Sequence, residues 1–261
     1  MDLNLTDKTV LITGSSKGIG KGIAQMFAEE GASVAICARG TEALNEAASE
    51  LKSLGVQVVA VQADMGKEVD IVRVYEETMA ELGKIDVLVN NAGVGYLNRN
   101  FDLSEEEWKS SLDINLMSMI RMTRCVVPQM KERKWGRIIN ISSINGHTMW
   151  PGMVDYQVAK SAMIAYSKTM ALELAPDNIL VNTICPGPVV TPLWDRLADE
   201  MVGVMGGSRE EVYANFGSQV PLGRHGEVKE IAGLAAFLAS DYANYMTGAA
   251  IDIDGGITKT T

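Results

Sequence analysis

Short apolar runs alternate along the chain with longer stretches in which apolar positions recur every three or four residues. Several of the runs consist almost wholly of valine, isoleucine and leucine, which is typical of strands covered on both faces. The longer stretches have the spacing of helices that bury one side. The pattern predicts strands at 9–13, 33–38, 57–62, 85–90, 137–142, 180–185 and 249–253, and helices at 19–30, 41–54, 67–82, 105–132, 153–175 and 227–239.

The strict alternation of strand and helix indicates the fold class. Parallel strands need crossover connections, and a helix between successive strands provides them. We therefore expect an α/β fold, a doubly wound parallel sheet of the Rossmann type with about seven strands and helices on both faces. No linker-like or low-complexity stretch divides the 261 residues, so we expect a single domain over residues 1–261.

Composition narrows the range of functions. The formal net charge is −10, so most of the surface would repel a nucleic acid, and we expect no nucleic-acid partner. No apolar stretch approaches the roughly 20 residues of a membrane span, and the N-terminus lacks the pattern of a signal peptide. Cys37, Cys125 and Cys185 are far apart, as expected of free thiols in the cytoplasm. With only His147 and His225 and no CxxC motif, we expect no metal site.

A glycine-rich turn follows the first predicted strand. Gly14, Gly18 and Gly20 stand between that strand and the next helix, where a dinucleotide-binding fold holds phosphate. Glycine allows the backbone to approach a pyrophosphate, and the free N–H groups that open the helix attract it. An ordinary glycine-rich connector is the alternative, but the position at the first crossover favours a cofactor site. The contacts predicted from this turn are Gly14, Ser16, Lys17, Gly18, Ile19 and Gly20.

The end of the second predicted strand bears on which dinucleotide is bound. An acidic residue there would bind the free ribose 2′-hydroxyl of NAD(H) and repel a 2′-phosphate. This chain instead has Arg39 at that point, with Lys17 in the glycine-rich turn, and both can bind a phosphate. Two solvated surface cations are the alternative interpretation. We predict NADP(H) as the cofactor, with NAD(H) as the alternative.

Tyr156 and Lys160 form the candidate catalytic pair. They are four residues apart on a predicted helix and therefore share one face. A unit charge ~4 Å away at an effective dielectric of ~20 is worth about 4 kcal/mol, or about three pKa units. We therefore expect the Lys160 ammonium to lower the pKa of Tyr156 from about 10 towards neutrality, where acid–base catalysis is most effective.

Ser143 ends the fifth predicted strand, at the edge of the sheet where ligands bind. Its hydroxyl is expected to hold and polarise a substrate oxygen. Ser142 alternates away from it along the strand and is expected in a capping or core hydrogen bond. Neither serine lies in the GxSxG elbow of a hydrolase. Since no acid is placed to orient His147, we expect that side chain in a loop or pocket wall.

Together these motifs resemble the short-chain dehydrogenase/reductase family over essentially the whole chain. By that resemblance, Tyr156 donates and accepts the proton, Ser143 binds the substrate oxygen, and Lys160 holds the nicotinamide ribose while lowering the tyrosine pKa. Asn115 would anchor a water of a proton relay at a helix irregularity. The family is usually tetrameric, so a homotetramer is expected. The motifs that carry the resemblance are 13–20, 90–93, Asn115, Ser143, Tyr156, Lys160, 186–191 and 254–256.

The resemblance also implies further cofactor contacts. The segment after the fourth strand would line the cofactor, Asp64 would contact the adenine, and the segment after the sixth strand would fix the carboxamide. The implied contacts are Asp64, Asn91, Ala92, Gly93, Tyr156, Lys160, Pro186, Gly187, Val189 and Thr191.

The interval 192–220 is the candidate substrate lid. It is rich in apolar side chains, is interrupted by Gly203, Gly206 and Gly207, and has the capping-box spacing of a second helix at Ser208. We predict a two-helix lid that is hinged on the glycines and closes an apolar pocket for a ketone or a cyclic alcohol. The alternative is that these residues only cover the core. The expected pocket residues are Tyr96, Asn145, Trp150, Met153 and Trp194.

Two other functions stay open at this point. The 3-oxoacyl-carrier-protein reductases are the subgroup that the chain most resembles. The lid interval, however, has five acidic residues against two arginines, and Pro176-Asp177-Asn178 stands where such reductases often carry a basic docking residue. A basic patch of Lys131, Arg133 and Lys134 is the interpretation in favour of carrier docking, and a solvated helix end is the alternative. The second alternative is a non-catalytic NADP(H)-binding sensor or scaffold. An intact set of Asn115, Ser143, Tyr156 and Lys160 counts against it, because binding alone needs no activated phenol.

Overall fold

Seven parallel strands form one sheet in this structure, a computed structural model that describes residues 2–97 and 100–259. The strands are β1 (Thr9–Thr13), β2 (Ser33–Ala38), β3 (Val58–Gln62), β4 (Val87–Asn90), β5 (Gly136–Ile141), β6 (Ile179–Pro186) and β7 (Ala250–Ile253). Their order across the sheet is β3-β2-β1-β4-β5-β6-β7, and all neighbouring pairs are parallel. All seven strands predicted from the sequence are present.

Helices cover both faces of the sheet, which confirms the predicted fold class. They are α1 (Gly18–Glu29), α2 (Thr41–Lys52), α3 (Glu68–Leu82), α4 (Glu105–Leu112), α5 (Ser118–Arg133), α6 (Val154–Leu174), α7 (Pro192–Met205), α8 (Arg209–Gln219) and α9 (Val228–Ala239). Helices α1, α2 and α9 pack on one face, and α3, α5 and α6 pack on the other. Among the residues described, no helix is both long enough and apolar enough to cross a membrane.

Strand β1 shows why the apolar runs are continuous. Val10 and Ile12 belong to the core under α1, α2 and α9, whereas Leu11 belongs to the core under α3, α5 and α6. All three side chains are fully buried. Because successive side chains of a strand point to opposite faces, a strand covered on both sides must be apolar at every position.

The helix predicted at 105–132 is interrupted. It begins at a capping box in which the Ser104 side chain accepts from the Glu107 backbone and the Glu107 carboxylate accepts from the Ser104 backbone. Between α4 and α5 the chain forms a π-helical segment, Asp113–Met117. Such wide turns often occur at functional sites, and this one carries Asn115.

A buried polar chain fixes the strands that end at the site. The Asn90 amide donates to Asn140 Oδ1 over 2.8 Å, and the Asn140 amide donates to Ser167 Oγ over 2.7 Å. These bonds connect β4, β5 and α6. They lie beside the point where the strand order reverses at β1, which is where ligands bind in sheets of this kind.

The interval 192–220 holds two helices, α7 and α8, and Ser208 caps the second one with the expected capping box. Gly203 lies inside α7, so the expectation that it interrupts the helix is wrong. Gly206 and Gly207 have φ values of +77° and +88° and join the two helices. Glycine is favoured there because other residues rarely adopt positive φ. Gly206 and Gly207 thus separate α7 from α8, and they do not lie at either end of the interval 192–220.

Candidate active site

Ser143, Tyr156 and Lys160 come together at the carboxyl end of β5. Ser143 lies two residues after the end of β5, and Tyr156 and Lys160 lie on the first turns of α6. All three line one cavity of about 500 Å³. The backbone N–H of Asn145 donates to Ser143 Oγ over 3.1 Å, and Ser143 also hydrogen-bonds the Tyr156 phenol. The structure therefore brings together three of the four predicted catalytic residues.

The Lys160 ammonium is almost completely buried. Its Nζ donates to the carbonyl oxygen of Ile141 over 2.8 Å and lies 5.5 Å from the centroid of the Tyr156 ring. An ammonium has three hydrogens to donate, and this is its one hydrogen bond among the described residues. Burial lowers the pKa of Lys160 to about 8. A buried ammonium that still has hydrogens to donate can form hydrogen bonds with acceptor atoms of a molecule in the cavity.

The expectation that Lys160 brings the Tyr156 pKa towards neutrality is wrong for this structure. Burial raises the pKa of Tyr156 to about 12, and the hydrogen bond with Ser143 opposes that rise only in part. The sequence-based expectation counted the attraction of the ammonium and left out the loss of hydration of the phenolate. Tyr156 consequently holds its proton at neutral pH, as a proton donor to a carbonyl oxygen must.

Asn115 lies in the π-helical segment and faces the loop that follows β4. Its Oδ1 accepts from the backbone N–H of Val94 over 2.9 Å, and its amide donates to Ser111 Oγ over 3.4 Å. A Cβ added at Gly93 would lie 2.9 Å from that Oδ1, so only glycine fits beside the amide. Asn115 therefore holds the loop in place. Its predicted role in a water relay stays a prediction.

The glycine-rich turn packs tightly against the same loop. Gly14 has a φ of +64°, and a Cβ there would lie 2.8 Å from Cα of Ala92. The Asn91 amide donates to the carbonyl oxygens of Thr13 and Gly14 over 2.9 and 2.8 Å. The turn and the loop after β4 therefore form one rigid wall at the switch point of the sheet.

The N-terminus of α1 opens into this region. The N-cap residue, Lys17, makes no side-chain capping bond, so the first N–H groups of α1 have no partner from the cap. Lys17 and Arg39 are both exposed, and neither cationic group forms an ion pair with a described residue. Helix dipole and cations together make a suitable environment for phosphate.

The predicted cofactor residues divide into two sets. Those that line the cavity are Gly14, Lys17, Gly18, Ile19, Asn91, Gly93, Tyr156, Lys160, Pro186, Gly187, Val189 and Thr191. Those that do not line it are Ser16, Gly20, Arg39, Asp64 and Ala92. Within the second set, Gly20 serves packing, because a Cβ there would lie 2.4 Å from the Asn91 amide. Asp64 accepts from the backbone N–H of Gly66 over 3.0 Å and so shapes the turn after β3.

Four of the five predicted pocket residues line the cavity, and Tyr96 does not. The Tyr96 ring packs against the guanidinium of Arg196, 4.4 Å from its centroid. Sequence reasoning missed several other wall residues, because loops that are distant in the chain bring them in. The wall residues that were predicted are Asn145, Trp150, Met153 and Trp194, and those that were missed include Gly95, Leu97, Gln219 and Ile257.

Helix α7 is docked onto the loop after β4. Arg196 donates to the carbonyl oxygen of Gly95, and the backbone N–H of Leu97 donates to Glu200 over 3.1 Å. Helix α8 is held to α7 by Arg209, which bonds both oxygens of Asp199 over 2.8 and 2.5 Å. The two helices therefore close the outer side of the cavity.

His147 has an acidic neighbour, so the expectation that no acid is placed near it is wrong. Its Nε2 lies 3.0 Å from Oδ1 of Asp252. The carboxylate comes from β7, which pairs with β6, and no sequence pattern near His147 indicates the contact.

Known proteins resemble this chain over its whole length. The family model described as enoyl-(acyl carrier protein) reductase matches residues 14–258. A 3-oxoacyl-(acyl-carrier-protein) reductase of Staphylococcus epidermidis is 38% identical over 252 residues, which cover 96% of this chain and 99% of the relative.

Solved structures of reductases also resemble this chain over nearly its whole length. L-Sorbose reductase from Gluconobacter frateurii, complexed with NADPH and L-sorbose, is 36% identical with a TM-score of 0.95, and the match covers 100% of both chains. An actinorhodin polyketide ketoreductase with NADPH is 32% identical with a TM-score of 0.94, over 98% of this chain and 99% of that one.

The fold, the site and these relatives define an oxidoreductase that acts on CH–OH and C=O groups. Within that class, the chain belongs to the short-chain dehydrogenase/reductase family.

Proposed function

We propose that this protein uses NADP(H) to interconvert a ketone and a secondary alcohol on a mostly apolar, small or cyclic substrate. One observation carries the proposal. Ser143, Tyr156 and Lys160 line a single cavity together with residues of the glycine-rich turn and with many apolar side chains. A cofactor and a substrate in that cavity would meet at the phenol of Tyr156.

The residues present fit a dinucleotide. Glycines at positions 14 and 20 let the turn pack without a side chain, and the uncapped N-terminus of α1 suits a pyrophosphate. The buried ammonium of Lys160, with hydrogens left to donate, suits the ribose hydroxyls. When bound, NADP(H) supplies or accepts the hydride.

The chain's own residues supply the proton chemistry. Ser143 holds the substrate oxygen by its hydroxyl, and Tyr156 gives its proton to that oxygen during reduction. Lys160 offsets the negative charge that develops on the phenol. Asn115 keeps the loop after β4 in position beside them.

Two free cations support NADP(H) over NAD(H). Arg39 follows β2 at the ribose end of the proposed site, and Lys17 lies in the turn. Both side chains are exposed and can approach a 2′-phosphate without breaking an ion pair within the described residues. The two reductases compared above were each solved with NADPH.

Arg39→Asp is expected to change cofactor selectivity. A hydrogen bond to a charged group is worth about 1.5–3 kcal/mol, so kcat/KM with NADPH should fall ~10- to 100-fold while that with NADH is kept or rises. Steady-state kinetics with both cofactors measure the ratio. Lys52→Asp makes the same charge change at an exposed residue ending α2 and should leave the ratio unchanged. An unaltered ratio in Arg39→Asp would refute the role of Arg39.

The cavity wall supports an apolar substrate. Trp150 and Met153 come from the segment around the start of α6, and α7 and α8 contribute further apolar side chains. A substrate hydroxyl buried against such a wall without a partner costs about 1–3 kcal/mol. The apolar wall residues are Leu97, Trp150, Met153, Leu193, Trp194, Leu197, Met201, Phe216 and Ile257.

A panel of ketones with NADPH tests the proposed function. We expect cyclic and aryl ketones to exceed L-sorbose in kcat/KM by at least ~10-fold, the equivalent of one unpaired hydroxyl. Preference for L-sorbose would overturn the apolar substrate while leaving ketone reduction intact. The absence of turnover with every ketone would favour the non-catalytic sensor or scaffold.

A 3-oxoacyl-carrier-protein reductase is the second candidate, and the relative from Staphylococcus epidermidis favours it. An acidic carrier needs free cations near the cavity other than Lys17 and Arg39, which the proposed 2′-phosphate would occupy. Here Lys131 and Lys134 both pair with Asp177, and Arg209 pairs with Asp199. We therefore expect a 3-oxoacyl thioester to be reduced no faster on the carrier protein than as the free thioester.

Three further features belong to the proposal. Helices α7 and α8 act as the lid over the substrate. Exposed apolar side chains on α6, Val158 and Leu172, support the homotetramer expected from the family. The three cysteines are free, which supports a location in the cytoplasm.

A further inference from the structure

Three potential metal ligands meet behind the catalytic loop. Cys185 and Asp252 are direct partners in the pairing of β6 with β7, so their side chains project from the same face of the sheet. His147 follows the short helical turn after β5 and lies over them. One ligand atom from each residue lies within 4.8 Å of the other two. None of the three has a part in the proposed proton chemistry.

We propose that His147 Nε2, Cys185 Sγ and Asp252 Oδ1 bind a divalent transition-metal ion of the zinc type. Imidazole, thiolate and carboxylate together are the ligands that zinc and its close neighbours prefer. Calcium and magnesium take oxygen ligands almost exclusively, so the thiol and imidazole exclude them. Three protein ligands leave a fourth position to water, as in open zinc sites.

The distances suit this coordination. Bonds of ~2.0–2.3 Å in a tetrahedral site place ligand atoms ~3.3–3.7 Å from one another. The Nε2 of His147 and the Oδ1 of Asp252 are 3.0 Å apart, and the widest separation in the cluster is below 4.8 Å. Small side-chain rotations would bring all three onto one ion.

Two of the three proposed ligand atoms are buried. The Nε2 of His147 is buried and lies 3.0 Å from Oδ1 of Asp252. The Cys185 thiol is fully buried beside it. A simple ion pair of His147 with Asp252 would account for their approach, but it does not involve the Cys185 thiol.

The site would connect three elements around the catalytic loop. His147 follows Ser143 by one short turn, Cys185 precedes the cavity residue Pro186, and Asp252 belongs to β7. An ion held by all three would fix the loop that carries Ser143 to the edge of the sheet. It would thus act as a structural tie beside the active site.

Cobalt binding to the full-length protein tests the proposal without reference to turnover. The chain is stripped with a chelator, and Co²⁺ is titrated at mildly alkaline pH. Because burial raises the pKa of the Cys185 thiol to about 12, the metal ion itself has to displace that proton as it binds. We expect one Co²⁺ per chain, a thiolate-to-cobalt absorption band in the near ultraviolet, and loss of that band when Zn²⁺ is added. Co²⁺ serves as the probe because its geometry resembles that of Zn²⁺ and it absorbs light.

Variants assign the ligands. Cys185→Ser should lose the band, and His147→Gln and Asp252→Asn should weaken cobalt affinity by at least ~10-fold. Cys125→Ser removes a thiol on α5 and should keep the band unchanged. His147 is partly exposed in a loop, so its variant remains informative if Cys185→Ser does not fold. Absence of the band in the wild type, its persistence in Cys185→Ser, or equal affinity of His147→Gln would each overturn the proposal.

Discussion

Replacing Tyr156 with phenylalanine is expected to lower kcat for ketone reduction ~10³-fold while NADPH still binds. The variant keeps the ring that packs beside Lys160 and removes only the hydroxyl that gives its proton to the substrate oxygen. Because the phenol is protonated at neutral pH in the wild type, its loss removes the proton donor at the pH of assay. Stopped-flow oxidation of NADPH measures turnover, and fluorescence titration measures cofactor binding.

The control for this variant lies on the same helix. Tyr166→Phe removes a phenol on α6 that is half-buried and does not line the cavity, and it should leave both kcat and NADPH affinity unchanged. Full turnover in Tyr156→Phe would remove Tyr156 from the reaction. If NADPH affinity fell together with kcat, the hydroxyl would instead act mainly in holding the cofactor.

The fold could be predicted because the local pattern of apolar residues reflects directly where each residue is buried in the structure. Every residue of β1 is buried, and its alternate side chains enter opposite cores, so the apolar run carries the information about both layers. The glycines of the first turn are equally readable, since Gly14 needs both positive φ and a close approach to Ala92. In the strand and in the turn, a single physical requirement accounts for the residues present, so the sequence alone indicates the structure.

The site could be predicted in its residues but not in its electrostatics. The spacing of Tyr156 and Lys160 fixes their shared face, and the structure confirms their proximity. Spacing does not reveal burial, however, and burial raises the pKa of Tyr156 and lowers that of Lys160. The direction of the tyrosine shift therefore depends on the desolvation of the pair, which only the packed structure shows.

Contacts that depend on how two strands pair are a second kind of feature that could not be predicted from the sequence. Asp252 approaches His147 because β7 pairs with β6 in a register that sets Asp252 opposite Cys185. The packing of Arg196 on Tyr96 likewise depends on where α7 docks. Such pairs are far apart in the chain and have no motif.

A buried carboxylate at the opposite end of the sheet gives the second large effect. Asp86 precedes β4, and its side chain is only 3% exposed. Its Oδ2 accepts from the backbone N–H of Thr9 and from Lys84, each over 2.9 Å, and its Oδ1 is paired with Arg133. The carboxylate thereby connects β1, β4 and α5. Burial raises its pKa, but the bonds from Lys84, Arg133 and Thr9 outweigh burial and hold the pKa below its ordinary value.

Asp86→Asn is expected to lower the free energy of unfolding by about 3 kcal/mol, because it leaves two cations without their buried partner. The value lies at the low end for such losses, since Lys84 and Arg133 remain partly in water. Urea unfolding at neutral pH measures the change as a shift of midpoint at constant slope. Glu77→Gln, which removes an exposed partner of Arg73, is the control and should change the free energy by less than about 0.5 kcal/mol.

The pH dependence of the free energy of unfolding tests the role of Asp86 in a second way. Folding lowers the pKa of Asp86, so this carboxyl binds a proton more readily in the unfolded chain than in the folded protein. The ionised form therefore stabilises the fold fully at pH values above the unfolded pKa of about 4. That contribution is lost as pH falls through the lower pKa of the folded state. The difference between wild type and Asp86→Asn should therefore be constant near neutrality and shrink in acid. A difference that stayed constant down to the acid unfolding of the wild type would show that the ionised form of Asp86 does not provide the stabilisation.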